Sequence, residues 1–153
     1  MSAKSVLAQV IALLASDGGT SPFNRRDYWA NDWDVDKWRT GTIEVDIRQS
    51  YSRERAVDQA YLVYVVHRFE ARITRVTAGN PATARNAVLD MVEAVKKALS
   101  TARGDLGHDK VRRNSLIFNE ARFPPDAQDQ NLNKRTGYLL FECEEFQVAS
   151  TRA

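Results

Sequence analysis

Between Ala60 and Val76 the chain reads AYLVYVVHRFEARITRV, and its apolar pattern changes half-way along. From Tyr61 to Val66 both alternations are apolar: Tyr61, Val63 and Val65 on one, Leu62, Tyr64 and Val66 on the other. From His67 onward they separate. Phe69, Ala71 and Ile73 keep the apolar parity, while Arg68, Glu70, Arg72 and Thr74 take the polar one. Successive side chains of a strand point to opposite faces, so this pattern predicts one long strand. Its first half is expected to be covered on both faces, and its second half to show one face to water or a partner. The β-branched and aromatic residues of Tyr61–Val66 lose side-chain freedom in a helix, which disfavours the helical reading.

A helix is predicted next. Ala78-Gly79 breaks the strand, Asn80 suits an N-cap, and Pro81 suits the first helical position. Ala84, Val88, Met91, Val92, Val95 and Leu99 share one face at helical spacing, with Asp90, Glu93 and Lys97 outside and a Glu93–Lys97 pair on the surface. A second amphipathic helix is predicted near the N-terminus. There Val6, Leu7, Val10, Ile11, Leu13 and Leu14 form a stripe, with Ser2 or Ser5 as cap and Gly18-Gly19 as stop. This periodicity, together with Gln9 interrupting the apolar run, favours a helix over a signal peptide.

Three further strands are predicted. In Thr42–Arg48, Ile43, Val45 and Ile47 face one way and Glu44, Asp46 and Arg48 the other. The polar stretch Gln49–Gln59 joins this strand to the long one, either as a long hairpin loop or as an extension of both strands into a projecting ribbon. Ser115–Phe123 is a strand with Leu116 and Phe118 inside and Ile117 a third candidate; Pro124-Pro125 ends it. Thr136–Val148 is the last, with Leu139, Phe141 and Cys143 on one face and Tyr138, Leu140, Glu142 and Glu144 on the other. The parity switches at Phe146 and Val148, which predicts a bulge near Glu144–Glu145 or an apolar tail on the second face. Thr101–Asn114 is a charged loop, Asp126–Arg135 a mobile hairpin tip, and Ala149–Ala153 a frayed tail.

The order is helix, strand, long strand, helix, strand, strand. It predicts an α+β fold: a four-stranded, mostly antiparallel sheet with two helices packed on one face. With 153 residues, 1–153 is expected to form a single domain. Residues 20–41 form a long irregular loop that holds all three tryptophans, Trp29, Trp33 and Trp38, among Arg25, Arg26, Asp27, Asp32, Asp34 and Asp36. Two readings of this loop stand side by side: a segment tucked onto the core by its tryptophans, or a contact surface rich in interface anchor residues.

Charge changes this picture little. A net charge of +2 gives no warrant for specific nucleic-acid recognition, and no stretch is long enough to cross a bilayer as a helix. The single Cys143 excludes an intrachain disulfide framework. No catalytic, metal or cofactor constellation is read. His67 lies on the apolar parity and reads as a core or interface histidine, and His108 has no companion zinc ligands nearby. Asp32, Asp34 and Asp36 open like a calcium loop but lack its turn glycine and distal glutamate.

Three stretches carry a resemblance: the N-terminal helix ending at Gly18-Gly19, the strand YVVHRFEARI followed by Asn80-Pro81 and the helix AVLDMVEAVKKAL, and the final strand TGYLLFECEEFQV. Together they resemble the tail-terminator family of long-tailed bacteriophages, over most of the chain. The sequence departs from the family before Thr42, where Phe23–Trp38 stands in place of a shorter apolar strand. The resemblance implies a small antiparallel sheet flanked by helices, no catalytic residues, and six copies in a ring. Such a ring caps the tail tube at the head-proximal end of the virion, after assembly in the host cytoplasm. It implies as partners the tail-tube protein, a head-completion or neck protein, and the sheath protein in a contractile tail. Trp29, Trp33, Trp38, Arg68, Glu70 and Arg72 are the expected subunit or partner contacts. The alternatives are another head–tail connector or neck protein, or a small dimeric α+β ligand-binding module.

Overall fold

The computed structural model describes residues 2–57, 60–125, 128–129 and 132–151. The elements run α1 (Ser2–Ser16), β1 (Asn24–Arg26), α2 (Val35–Thr40), β2 (Thr42–Val57), β3 (Ala60–Ala78), α3 (Pro81–Ser100), β4 (Ile117–Arg122), β5 (Gln128–Asp129) and β6 (Leu132–Thr151). One mixed sheet has the order β1-β2-β3-β6-β4, with β5 pairing to β6. β1 lies parallel to β2, and the other pairings are antiparallel. The α+β class agrees with the sequence pattern. The sheet is larger than the four strands expected, and a third helix, α2, lies in the segment read as irregular.

α1 and α3 build the core on the odd-numbered face of β3. Asn80 caps α3 by accepting from the Ala82 N–H, and Pro81 follows it. Val88, Met91, Val92 and Val95 are buried, while Asp90, Glu93 and Lys97 are exposed, as the helical periodicity predicts. The surface ion pair differs by one step, because Glu93 reaches Lys96 at 3.6 Å rather than Lys97. Facing α3 are Ile43 and Val45 of β2, Phe69, Ala71 and Ile73 of β3, and Leu139 and Phe141 of β6. The rings of Phe69 and Phe141 stack at 5.5 Å. At Gly137, an added Cβ would meet Val88 Cγ1 at 2.8 Å and Phe123 at 3.0 Å. The glycine therefore sets how closely α3 approaches the sheet.

Length separates the two halves of β3. α3 turns back along β3 from the Gly79 turn and spans about 30 Å at the rise of a helix. β3 spans about 60 Å at the rise of a strand. The helical layer therefore covers only the half of β3 nearest Ala78. The other half pairs with β2 as far as Val57 and with β6 as far as Thr151. Of the two readings of Gln49–Gln59, the structure shows the ribbon. Side chains 54–63 and 147–153 lie outside the described residues, so the expected two-faced burial of Tyr61, Leu62 and Val63 does too. Within the described part, Tyr64 and Val66 are buried.

Three expectations are corrected. β3 and β6 stay in register through Glu144 and Glu145, and the irregularity falls between Ala60 and Leu62. The other reading of the parity switch, an apolar tail on the second face, holds at Phe146, whose ring packs on Tyr64 at 5.6 Å, while Glu145 takes the core face, buried and hydrogen-bonded to His67. Ile117 is 52% exposed, because β4 is an edge strand and turns that side chain outward. Finally, β6 begins at Leu132 and runs past Val148 to Thr151. Part of the expected hairpin tip is thus strand, and residues 126–127 and 130–131 lie outside the described residues.

Candidate functional site

Apart from Phe23, which packs against the apolar core, the aromatics of the segment read as a loop lie over the even-numbered face of the sheet, opposite α1 and α3. Asn24–Arg26 add a short parallel strand to β2, and α2 returns the chain to Gly41. α2 starts where Asp34 accepts from the Lys37 N–H. Gly41 ends it at φ 112, a conformation that favours glycine.

Beneath this segment lies a buried ion network centred on Glu44, whose side chain is 1% exposed. Oε2 accepts from Arg26 Nε at 2.8 Å, from Arg26 Nη2, and from the Ala30 N–H at 3.1 Å. Arg72 donates from Nε to Oε1 at 3.0 Å, and from Nη2 to Oε2 at 3.1 Å and to the Ala30 carbonyl at 2.7 Å. A buried carboxylate persists only when paired and hydrogen-bonded, and Glu44 has both. Burial pulls the Arg26 guanidinium down, but its hydrogen bonds and charges from Glu44 and Asp32 hold it above its ordinary value. The hydrogen bond from Arg26 in turn holds the Asp32 carboxyl below the usual carboxylate range.

The tryptophans close this layer. Trp29 Nε1 donates to the carbonyls of Glu44 at 3.0 Å and Glu70 at 3.2 Å. Its ring lies 5.6 Å from Tyr138, with Arg48 at 3.7 Å and Arg72 at 5.0 Å from its centroid. Trp33 receives Arg26 at 4.2 Å, and Trp38 receives Lys134 at 3.9 Å. All three are half-buried within their own chain. This arrangement is the first reading of the segment, tucked down by its tryptophans, but on the polar face of the sheet rather than on the apolar core.

The expected contact residues separate accordingly. Trp29 and Arg72 meet in this network. Glu70 lies further along β3, between Arg48 at 3.1 Å and Arg122 at 3.6 Å. Arg68 pairs with Glu142 at 3.6 Å and is 37% exposed at its side chain. The exposed parity expected for β3 is therefore largely covered: the side chains of Arg72 and Glu70 are 17% and 12% exposed. Sequence reasoning missed Glu44 altogether. It occupies a polar position in a clean alternation, and only the distant Arg26 segment makes that position an interior one.

A second polar chain crosses the sheet on the core face. With the imidazole neutral, His67 donates from Nε2 to Glu145 at 2.8 Å and accepts at Nδ1 from the Ser50 hydroxyl at 2.7 Å. His67 and Glu145 are buried, so His67 is the core histidine its parity indicates. These three residues line neither of the cavities described below. Their bonds satisfy two buried polar groups where the apolar core ends and the ribbon begins. Cys143 lies in the same layer, and burial, reinforced by Glu145, Glu142 and Glu144, pushes its thiol up to about 12. Among the described residues, no cluster of His, Cys, Asp and Glu has the geometry to hold a metal, and no helix is long and apolar enough to cross a membrane.

One cavity of about 350 Å³ opens between the Ala30–Trp38 segment and the sheet. Another, of about 500 Å³, lies in the loop after α3, among Arg103, Asp105, His108 and Arg113.

No family model matches the sequence, and no curated protein matches it. Among solved structures, the chain is similar to one described as "Virion of native gene transfer agent (GTA) particle", with 18% identity, 92% of this chain and 94% of that chain covered, and a TM-score of 0.49.

Proposed function

We propose that this chain is a structural virion protein that caps a phage tail tube as a hexameric ring and joins the tail to the head or neck. The observation that carries the reading is the ribbon. β2, β3 and β6 continue together beyond the helical layer, and β1 pairs with β2 only at Thr42–Glu44. Along Val45–Val57 the outer edge of β2 has no partner strand among the described residues. On the opposite edge, β4 pairs with β6 between Tyr138 and Glu142, and Val111 adds a bridge at Glu145. Exposed strand edges invite pairing with another chain. Two different edges, on opposite sides of one ribbon, suit a head-to-tail contact, which is the contact a cyclic ring needs.

The resemblance of the strand–turn–helix YVVHRFEARI…AVLDMVEAVKKAL to tail terminators supplies the identity of the ring. The Trp29–Trp38 layer and the Arg68, Glu70 and Arg72 row then lie beside subunit or tube contacts, with Arg68, the most exposed of the row, placed to help fix register. The partners are the tail-tube protein, a head-completion or neck protein and, in a contractile tail, the sheath protein.

The test is electron microscopy of tail tubes assembled with the wild-type chain and with a variant whose hairpin is shortened to a tight turn between Arg53 and Tyr64, which are register partners. Wild type should form sixfold caps at one tube end, and the shortened variant should fold but leave the ends bare. Bare ends with wild-type protein contradict the proposal.

A further inference from the structure

Two arginines face each other near the end of the sheet where α3 begins. Arg75 of β3 and Arg135 of β6 are register partners, and on the core face they follow the Ile73–Gly137 pair. Gly137 lies against Val88 and Phe123, so the arginine pair falls on the side of the first turn of α3. That turn carries no acidic residue, and the positive end of the helix dipole lies there.

Like charges directly opposite each other on one face of an antiparallel pair are destabilising. The arginines of the other face are compensated: Arg48 and Arg122 by Glu70, Arg68 by Glu142 and Arg72 by Glu44. Among the described residues no carboxylate pairs with Arg75 or Arg135. Arg135 donates from Nη2 to the Phe123 carbonyl at 2.9 Å. Both side chains are half-buried, and Nε of each is buried without a partner among the described residues.

The next pair on this face is Thr77 and Asn133. Asn133 Nδ2 donates to the Gly79 carbonyl at 2.6 Å, but the Thr77 hydroxyl is a third buried group without a partner among the described residues. Unanswered donors thus gather in two neighbouring cross-strand pairs, and two of the three are cationic. Water can serve a hydroxyl, but it leaves two facing guanidinium charges in place. An anion answers both needs.

We propose that Arg75 and Arg135 bind a phosphate dianion, with the Thr77 hydroxyl as the third donor. A guanidinium fork takes two oxygens at once and fits a phosphate group in this way. Two forks and a hydroxyl exceed what the two oxygens of a carboxylate accept. Two positive charges match the roughly −1.5 to −2 of a phosphate group at neutral pH. This site stands apart from the proposed ring and does not depend on it.

The experiment is isothermal titration of the intact chain with inorganic phosphate and with methyl phosphate, at constant ionic strength, with acetate as the comparison probe. Inorganic phosphate should bind saturably at millimolar concentration and raise the melting temperature more than chloride of equal ionic strength. Methyl phosphate tells whether a phosphate ester is taken as well as the free ion. Acetate should bind more weakly by about tenfold or more, the worth of one charge-assisted hydrogen bond. Arg75→Gln should weaken phosphate by a similar factor and still fold, because the Arg75 side chain holds no carboxylate among the described residues. Arg135→Gln should do the same, whereas Arg103→Gln, at an exposed arginine in the loop after α3, should bind as wild type does. Absence of saturable phosphate binding, equal binding of acetate, or binding indifferent to both Arg75→Gln and Arg135→Gln would each overturn the proposal. So would binding that appears only when Asp126 and Asp129 are both changed to Asn, since the chain's own carboxylates would then be the partners of the two arginines.

Discussion

Glu44 shows how much a single position depends on its partners. Two arginines are held beside one buried carboxylate, so removing the carboxylate strands both cations. Glu44→Ala is expected to cost about 3–5 kcal/mol, a large part of an ordinary domain's stability. Chemical denaturation measures it directly, and a loss under 1 kcal/mol would mean the network is solvated. For the same reason Arg72→Glu should weaken the isolated fold, since it sets a second carboxylate against Glu44. Asp32 is the exposed member of this network. Its carboxyl is depressed in the folded chain, so its contribution is present above the unfolded pKa and lost as pH falls through the folded value. Stability should therefore decline below about pH 4, the unperturbed aspartate range, and Asp32→Asn should flatten that decline in a pH series of thermal melts. Cys143 provides an independent probe. Its thiol is buried and pushed up to about 12, and the thiolate is the reactive form. Labelling with a thiol reagent at neutral pH should occur only at the rate of unfolding. Rapid labelling of native protein would contradict the burial.

Elements whose pattern is set by their own neighbours along the chain were legible in the sequence. The Asn80-Pro81 start of α3, its buried face and the parity of Phe69, Ala71 and Ile73 all follow from local periodicity. Val92→Asp should therefore bury an unpaired charge at a 1% exposed site and cost about 3–5 kcal/mol. A soluble variant with an unchanged melting temperature would show that the face is misassigned. Elements that depend on distant partners were not legible. β1 is three residues long and exists because β2 offers an edge, and α2 is six residues long; neither length supports a periodicity. The even-numbered face of β3 reads as solvent-exposed because Arg68, Glu70 and Arg72 are charged. The structure instead pairs these side chains with Glu142, Arg48, Arg122 and Glu44 and lays Trp29 against Arg72 and Arg48. The same limit applies to Glu145, whose place on the core face makes sense only once His67 is seen beside it.

At the scale of the molecule, the division is between a compact half and a ribbon. α1, α3 and the loop after α3 cover the sheet as far as the Ser50–His67–Glu145 chain. Past that point three strands run on together, and the helical layer does not follow. The proposed ring would account for this: neighbouring copies would supply partners for the strand edges left open among the described residues. The most direct measurement is native mass spectrometry of the wild-type chain, alone and mixed with tail-tube protein. The account predicts a species of six copies, free or on tube ends. A chain that stays monomeric or dimeric in both conditions would contradict it.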